Sequence, residues 1–185
     1  MSDEDARRWD ARHGAVDAVG PLPPDALRGR LDLLPSGGLA LDVACGRGAV
    51  SRWLAERGFV VDAVDVSPVA LATVAEVEGV RAVRADLDLG LPPVCAGPYD
   101  VVVCQRFRDP ALYPTFVERL APGGLLVVTV LSEVDDEPGP FRAPPGELEA
   151  AFAGLDVLLQ REVDGEAHIV ARAVRADPAS SAQAP

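Results

Sequence analysis

Apolar runs and helical stretches alternate through the middle of the chain. LALDVA (39–44), FVVDAVDV (59–66), VRAVRAD (80–86), YDVVVCQ (99–105) and LLVVTVL (125–131) are short and rich in β-branched residues, as strands are. Between them SRWLAERG, PVALATVAEVEG and TFVERL carry helical spacing, and the turn APGG precedes the last run. A βαβαβ succession predicts a parallel sheet with helices on both faces, and LLVVTVL has the unbroken apolarity of a strand buried on both sides. A helix is predicted around GELEAAF (146–152). DVLLQREV and AHIVARAV, joined across Asp164 and Gly165, predict an antiparallel hairpin at one sheet edge. Upstream, Trp9, Val16 and Val19 predict a short amphipathic helix that Pro21, Pro23 and Pro24 interrupt, with a second helix from about Asp25 to Leu34. Residues 175–185 read as a disordered tail.

Composition narrows the class. With 185 residues the chain forms one domain, taken as 1–174 with residues 1–34 as a helical cap over the site. It lacks an apolar run of membrane-spanning length, about eighteen residues, and the charged start MSDEDARRWD is unlike a signal peptide; a cytoplasmic protein is expected. Cys45, Cys95 and Cys104 are odd in number and lack metal-ligand spacing, so reduced thiols and no metal are expected. A net charge of −12 opposes a phosphate-neutralising surface, which disfavours nucleic acid and favours a small-molecule or protein partner.

The candidate chemistry lies at the carboxyl ends of the first three strands. In LDVACGRGAV a strand ends near Asp42, and Gly46 and Gly48 lead into a helix, a turn that lets backbone approach a ligand. A dinucleotide fingerprint would have a third glycine where Ser51 stands. Asp65 ends the second strand seventeen positions after Gly48, where a carboxylate can accept both ribose hydroxyls; belonging to the N-cap region of the next helix is its ordinary alternative. Asp86 ends the third strand, placed to accept from an exocyclic amine, although a solvated loop would also explain it beside Asp88.

LDVACGRG, VDAVDVS, RADL, YDVVVCQ and LAPGGLLVV occur in the order of class I S-adenosylmethionine-dependent methyltransferases, which the chain resembles over about residues 39–131. WDARH (9–13), CQRFRDPALYP (104–114) and PFRAPPGELEAAF (140–152) extend a looser likeness to the small tellurite-resistance-like and thiopurine-methyltransferase-like group. The resemblance implies an α/β, Rossmann-like three-layer sandwich. Its sheet would have seven mostly parallel strands and an antiparallel C-terminal hairpin strand, with S-adenosyl-L-methionine as cofactor. It places Asp42, Ala44, Cys45, Gly46 and Gly48 around the methionine part. Asp65, Val66 and Ser67 fall at the ribose, Ala85, Asp86 and Leu87 at adenine. Cys104, Gln105 and Arg106, at the end of the fourth strand, complete the cofactor-binding set, and Gln105, Arg106 and Phe107 would face the methyl acceptor. Trp9 and Arg12 would pack over the cofactor; an anchored core aromatic and a solvated charge are their alternatives.

Methyl transfer chiefly requires an acceptor aligned with the departing thioether in a site that excludes water. No catalytic base stands out. His13 could face the pocket, His168 reads as exposed or packed, and Cys45 and Cys104 read as packing residues, although the helix start beside Cys45 could lower its pKa. The segment after the fourth strand lacks the D/N-P-P-Y/F pattern of nucleic-acid amino methyltransferases. SEVDDEPGPFRAPP (132–145) is expected to act as a lid or, alternatively, to be a flexible acidic surface loop. Two other functions remain: a catalytically silent cofactor-binding protein, and a nicotinamide-dependent oxidoreductase. The second is disfavoured by the glycine pattern and by a chain without lysine.

Overall fold

The computed structural model describes residues 7, 10 and 20–174. One seven-stranded sheet runs in the order β3-β2-β1-β4-β5-β7-β6. Its strands are β1 (Gly38–Val43), β2 (Phe59–Asp65), β3 (Val80–Arg84), β4 (Tyr99–Gln105), β5 (Leu120–Leu131), β6 (Asp156–Val163) and β7 (Glu166–Arg172). The first five strands are parallel, and β7 pairs antiparallel with both β5 and β6. This is the predicted α/β architecture. Sequence apolarity follows position in the sheet: Leu125 to Val130 are buried without a break, whereas the edge strands β3 and β6 are largely open.

Successive side chains point to opposite faces, so the sheet divides the core in two. Leu41, Val43, Val102, Leu126 and Val128 belong to one cluster, with Phe116 of α3 (Tyr113–Glu118) and Leu148 of α4 (Glu147–Ala151). Ala40, Val101, Val103, Val127 and Val170 belong to the other. There Trp53 and Leu54 of α1 (Ala49–Ala55) and Leu27 of a 3-10 turn cover them. The remaining helix, α2 (Pro68–Ala72), places Leu71 against Ala63 of β2.

The helix expected over 25–34 is two separate 3-10 turns, Asp25–Leu27 and Leu31–Leu33. Gly29 lies between them at φ +79°, a left-handed conformation that ends a right-handed helix. The helix expected from Pro68 extends only to Ala72, and APGG, expected as a turn, is absorbed into the first part of β5. The hairpin turn is as anticipated, with Asp164 and Gly165 at φ +53° and +73°. The predicted amphipathic helix falls mostly outside the described residues, although Arg7 and Asp10 are helical. No helix among the described residues is long and apolar enough to cross a membrane.

Candidate active site

β1 pairs with β2 on one side and β4 on the other, so the chain leaves these neighbours in opposite directions and a crevice opens at their carboxyl ends. The turn after β1 fills this crevice. Ala44, Gly46 and Gly48 all take positive φ, +54°, +53° and +72°, and the alanine is the strained member because its Cβ opposes that conformation. The Cys45 amide donates to the Val64 carbonyl at 2.9 Å, which moors the turn to β2.

Asp65, buried at the end of β2, organises the turn from below. Its Oδ2 accepts from the Gly46 amide and its Oδ1 from the Ser67 amide, both at 2.9 Å. The helix-capping role considered for Asp65 belongs to Ser67, whose Oγ accepts from the Ala70 amide at 3.1 Å. The same hydroxyl donates to Asp10 at 2.5 Å, joining the N-terminal segment to the site. A carboxylate has about four lone-pair positions, so the two amides leave room for two further donors. Adjacent ribose hydroxyls match that capacity, and the residues present therefore fit an adenosine-bearing ligand.

Asp42 is buried and accepts from Ser51 Oγ at 2.5 Å. Burial pushes its carboxyl up to about 7, the serine hydrogen bond opposes this, and the Asp65 charge adds to it. The protonated acid therefore suits the folded state. Its contribution to stability is complete below the unfolded value near 4 and is lost as pH rises through about 7. Urea titrations across that window should show wild-type stability falling relative to Asp42→Asn by up to ~1.4 kcal/mol per pH unit. Parallel curves would contradict this account of Asp42.

Burial and the charges of Asp42 and Asp65 push the Cys45 thiol up, opposite to the lowering expected from the helix start. Burial likewise raises Cys104, whose side chain lies in the core on the sheet face opposite Asp42 and donates to the Phe107 carbonyl at 3.3 Å. Both behave as packing residues. Asp86 accepts from the Asp88 amide at 3.0 Å and caps a 3-10 turn, while the Ala85 amide donates to the Asp65 carbonyl at 3.0 Å and brings this strand end against Asp65. Leu87 is a core residue, and Val66 is buried beside the turn. Trp9, Arg12 and His13 lie outside the described residues.

Gln105 and Arg106 fall on the other side of the turn. They line a cavity of about 390 Å³ with residues as distant in sequence as Leu22 and His168, and neither Asp42 nor Asp65 belongs to its wall. Gln105 Oε1 accepts from the Asp25 amide at 2.9 Å; Arg106, at φ +59°, pairs with Glu166 at 2.8 Å. His168 is buried, with Nδ1 3.1 Å from Thr129 Oγ1, and burial lowers its pKa so that the neutral ring is favoured. Sequence reasoning did not single out Asp10, Ser51 as a partner of Asp42, or Thr129. Thr129 interrupts the otherwise apolar run LLVVTVL, a signal that could have exposed it.

The loop after β5 is held against the hairpin. The Ala143 amide donates to the Leu131 carbonyl at 2.8 Å, Arg142 donates to the Ser132 carbonyl at 2.7 Å, and Arg142 also pairs with Asp136. Phe141 at its tip is exposed.

Sheet order, the antiparallel β7 and an acidic left-handed turn at the switch point define the class I methyltransferase fold. Residues 40–124 match the family described as "Methyltransferase domain". A ubiquinone biosynthesis O-methyltransferase of Xanthomonas oryzae is 32% identical over 140 residues, which are 69% of this chain and 57% of that protein. The chain thus spans little more than half the length of this curated relative. Among solved structures, TehB from Haemophilus influenzae superposes with a TM-score of 0.68 at 20% identity, covering 80% of this chain and 61% of that one. An S-adenosylmethionine-dependent methyltransferase from Mesorhizobium loti does so with 0.65 at 21% identity, covering 80% and 97%. Residues 40–124 thus match a methyltransferase domain, and the fold is similar to that of TehB and of S-adenosylmethionine-dependent methyltransferases.

Proposed function

We propose that this protein transfers a methyl group from S-adenosyl-L-methionine to a small-molecule acceptor. The observation that carries the reading is Asp65, a buried carboxylate at the switch point with two acceptor positions uncommitted beside a left-handed turn. When bound, the cofactor supplies a methyl group on a positively charged sulfur.

The chain's own residues bind and orient. Asp65 accepts the ribose hydroxyls, Asp86 and the neighbouring Ala85 and Leu87 backbone flank adenine, and Ala44 to Gly48 present backbone to the methionine part. Val66 and Ser67 close the ribose side, with Asp10 holding Ser67. Trp9 and Arg12 cover the cofactor from the N-terminal segment. Cys45 and Cys104 shape the walls as thiols, and Gln105 and Arg106 face the acceptor. Residues 1–174 act as one domain, with 1–34 as the cap and 175–185 as a tail. The site belongs to a cytoplasmic protein, with no nucleic-acid or membrane partner.

An oxygen acceptor is favoured by the O-methyltransferase relative. Against the nicotinamide reading stands Ser51. It occupies the position of a dinucleotide fingerprint's third glycine and is fully buried on Asp42. Incubation with S-adenosylmethionine and a panel of phenols, thiols and amines tests the proposal. Acceptor-dependent formation of S-adenosylhomocysteine is expected, with a phenol the most active. Tight cofactor binding with no turnover across the panel would instead favour the silent binding protein.

A further inference from the structure

The turn after β1 separates two regions. Asp65 lies on its β2 side, whereas the cavity on its β4 side is unexplained by cofactor binding. That cavity abuts the same turn, since Ala49 and Val50 in its wall begin the helix that follows Gly48, and Gln105 ends β4. An enzyme that transfers a group needs two ligands meeting at one point. The placement suits the second ligand.

The floor is a row of polar residues that strand register lays across four strands. Gln105 of β4 is opposite Thr129 of β5, Thr129 is opposite His168 of β7, and His168 is opposite Arg161 of β6. Directly opposed residues share a face, so all four belong to the side of the sheet that carries Leu27 and α1. Val103, Val127 and Val170, two positions before or after the row on the same face, are apolar and buried, which makes polar side chains beside them costly unless they serve a ligand or a network. Thr129 and His168 satisfy one another. Gln105 spends its oxygen on the Asp25 amide, and its amide nitrogen has no protein acceptor among the described residues. The opposite wall is apolar, formed by Leu22, Pro23 and Val50, and the Leu22 amide donates to the Ala49 carbonyl at 3.1 Å to close it.

Charge identifies the ligand. Among the described residues, three guanidinium groups line the cavity, those of Arg28, Arg106 and Arg161, with two carboxylates, Asp25 and Glu166. Arg28 pairs with Asp25 at 2.7 Å and Arg106 pairs with Glu166 at 2.8 Å, so these four balance. The Arg161 side chain makes no ion pair or hydrogen bond among the described residues, its charge bears on neighbouring His168, and it ends the row with one positive charge in excess. A guanidinium matches a carboxylate with two parallel hydrogen bonds. A dianion such as phosphate would meet the same single excess charge together with the two carboxylates, so a monoanion fits better.

We propose that this cavity binds the methyl acceptor and that the acceptor is a small carboxylic acid. Its carboxylate lies on Arg161, a polar group meets the Gln105 amide, and its apolar body packs on Leu22, Pro23 and Val50. This rests on the methyl-transfer reading above. Arg161 is a binding residue on an exposed edge strand, and its role is recognition.

Ligand-observed NMR titrations test the proposal with two matched pairs of probes, benzoate with benzamide and hexanoate with hexanamide. The full chain is compared with Arg161→Gln and Arg161→Lys, each with and without saturating S-adenosylhomocysteine, after thermal melting has established that the variants fold. Each acid should bind about tenfold or more tightly than its amide, since one charge-assisted pair is worth about that factor. The preference should disappear in Arg161→Gln, survive in part in Arg161→Lys, and leave S-adenosylhomocysteine affinity unchanged. Equal binding of acids and amides, no measurable binding of either acid, or a preference that survives in Arg161→Gln overturns the proposal. A tenfold loss of S-adenosylhomocysteine affinity in Arg161→Gln also overturns it, because the cavity would then belong to the cofactor. If acids bind through Arg161 but S-adenosylhomocysteine does not bind at all, the carboxylate site stands and the methyl-transfer reading falls.

Discussion

Asp65→Ala is expected to weaken S-adenosylhomocysteine binding by at least about a hundredfold. A hydrogen bond to a charged acceptor contributes about 1.5–3 kcal/mol, and two ribose hydroxyls would lose such a partner together. The substitution also releases the Gly46 and Ser67 amides, which the carboxylate holds at 2.9 Å. Both effects lower affinity. Asp65→Asn separates them, because one amide oxygen can still accept at the turn while the charge and the second acceptor are lost. Calorimetric titration should therefore place Asn between Ala and wild type. An alanine variant that folds and binds within threefold of wild type would remove Asp65 from the ribose site.

Gly48→Ala is expected to destabilise the protein by ~2–5 kcal/mol and to abolish cofactor binding. Gly48 has φ +72°, where an L side chain costs ~1–2 kcal/mol, and an added Cβ would lie 2.0 Å from Val74 Cγ1. Val74 is fully buried, so relief requires repacking at a further ~1–3 kcal/mol. Combining Gly48→Ala with Val74→Ala removes the clash but not the backbone strain. Urea denaturation of the four members of this cycle should show a favourable coupling between the two sites. Additive effects would mean that Val74 does not limit this turn.

The parts of the fold legible in the sequence are those where burial on both faces imposes continuous apolarity or where a turn has its own chemistry. FVVDAVD, YDVVVCQ and LLVVTVL mark central strands, and Asp164–Gly165 marks the hairpin. Short helices were harder to bound, because Pro68–Ala72 and the two 3-10 turns near Asp25 are fixed by packing on the sheet and by Gly29 rather than by their own periodicity. That Asp42, Asp65 and Asp86 lie near one edge of the sheet was legible, because each falls at or within two residues of the carboxyl end of a parallel strand. The second cavity was not. Gln105, Thr129, His168 and Arg161 are scattered between positions 105 and 168 and meet only through the register of β4, β5, β7 and β6. The behaviour of Cys45 also escaped a local reading: its thiol responds to the carboxylates that folding brings beside it, not only to the helix that follows.

The proposed function stands on recognition of an adenosyl sulfur cofactor by the crevice beyond β1 and β2. Isothermal titration of the folded chain with S-adenosylmethionine, S-adenosylhomocysteine and NADH tests it without knowledge of the acceptor. Saturable one-site binding of both adenosyl ligands and none of NADH is expected. Binding of NADH alone, or no binding of either adenosyl ligand to folded protein, would contradict it.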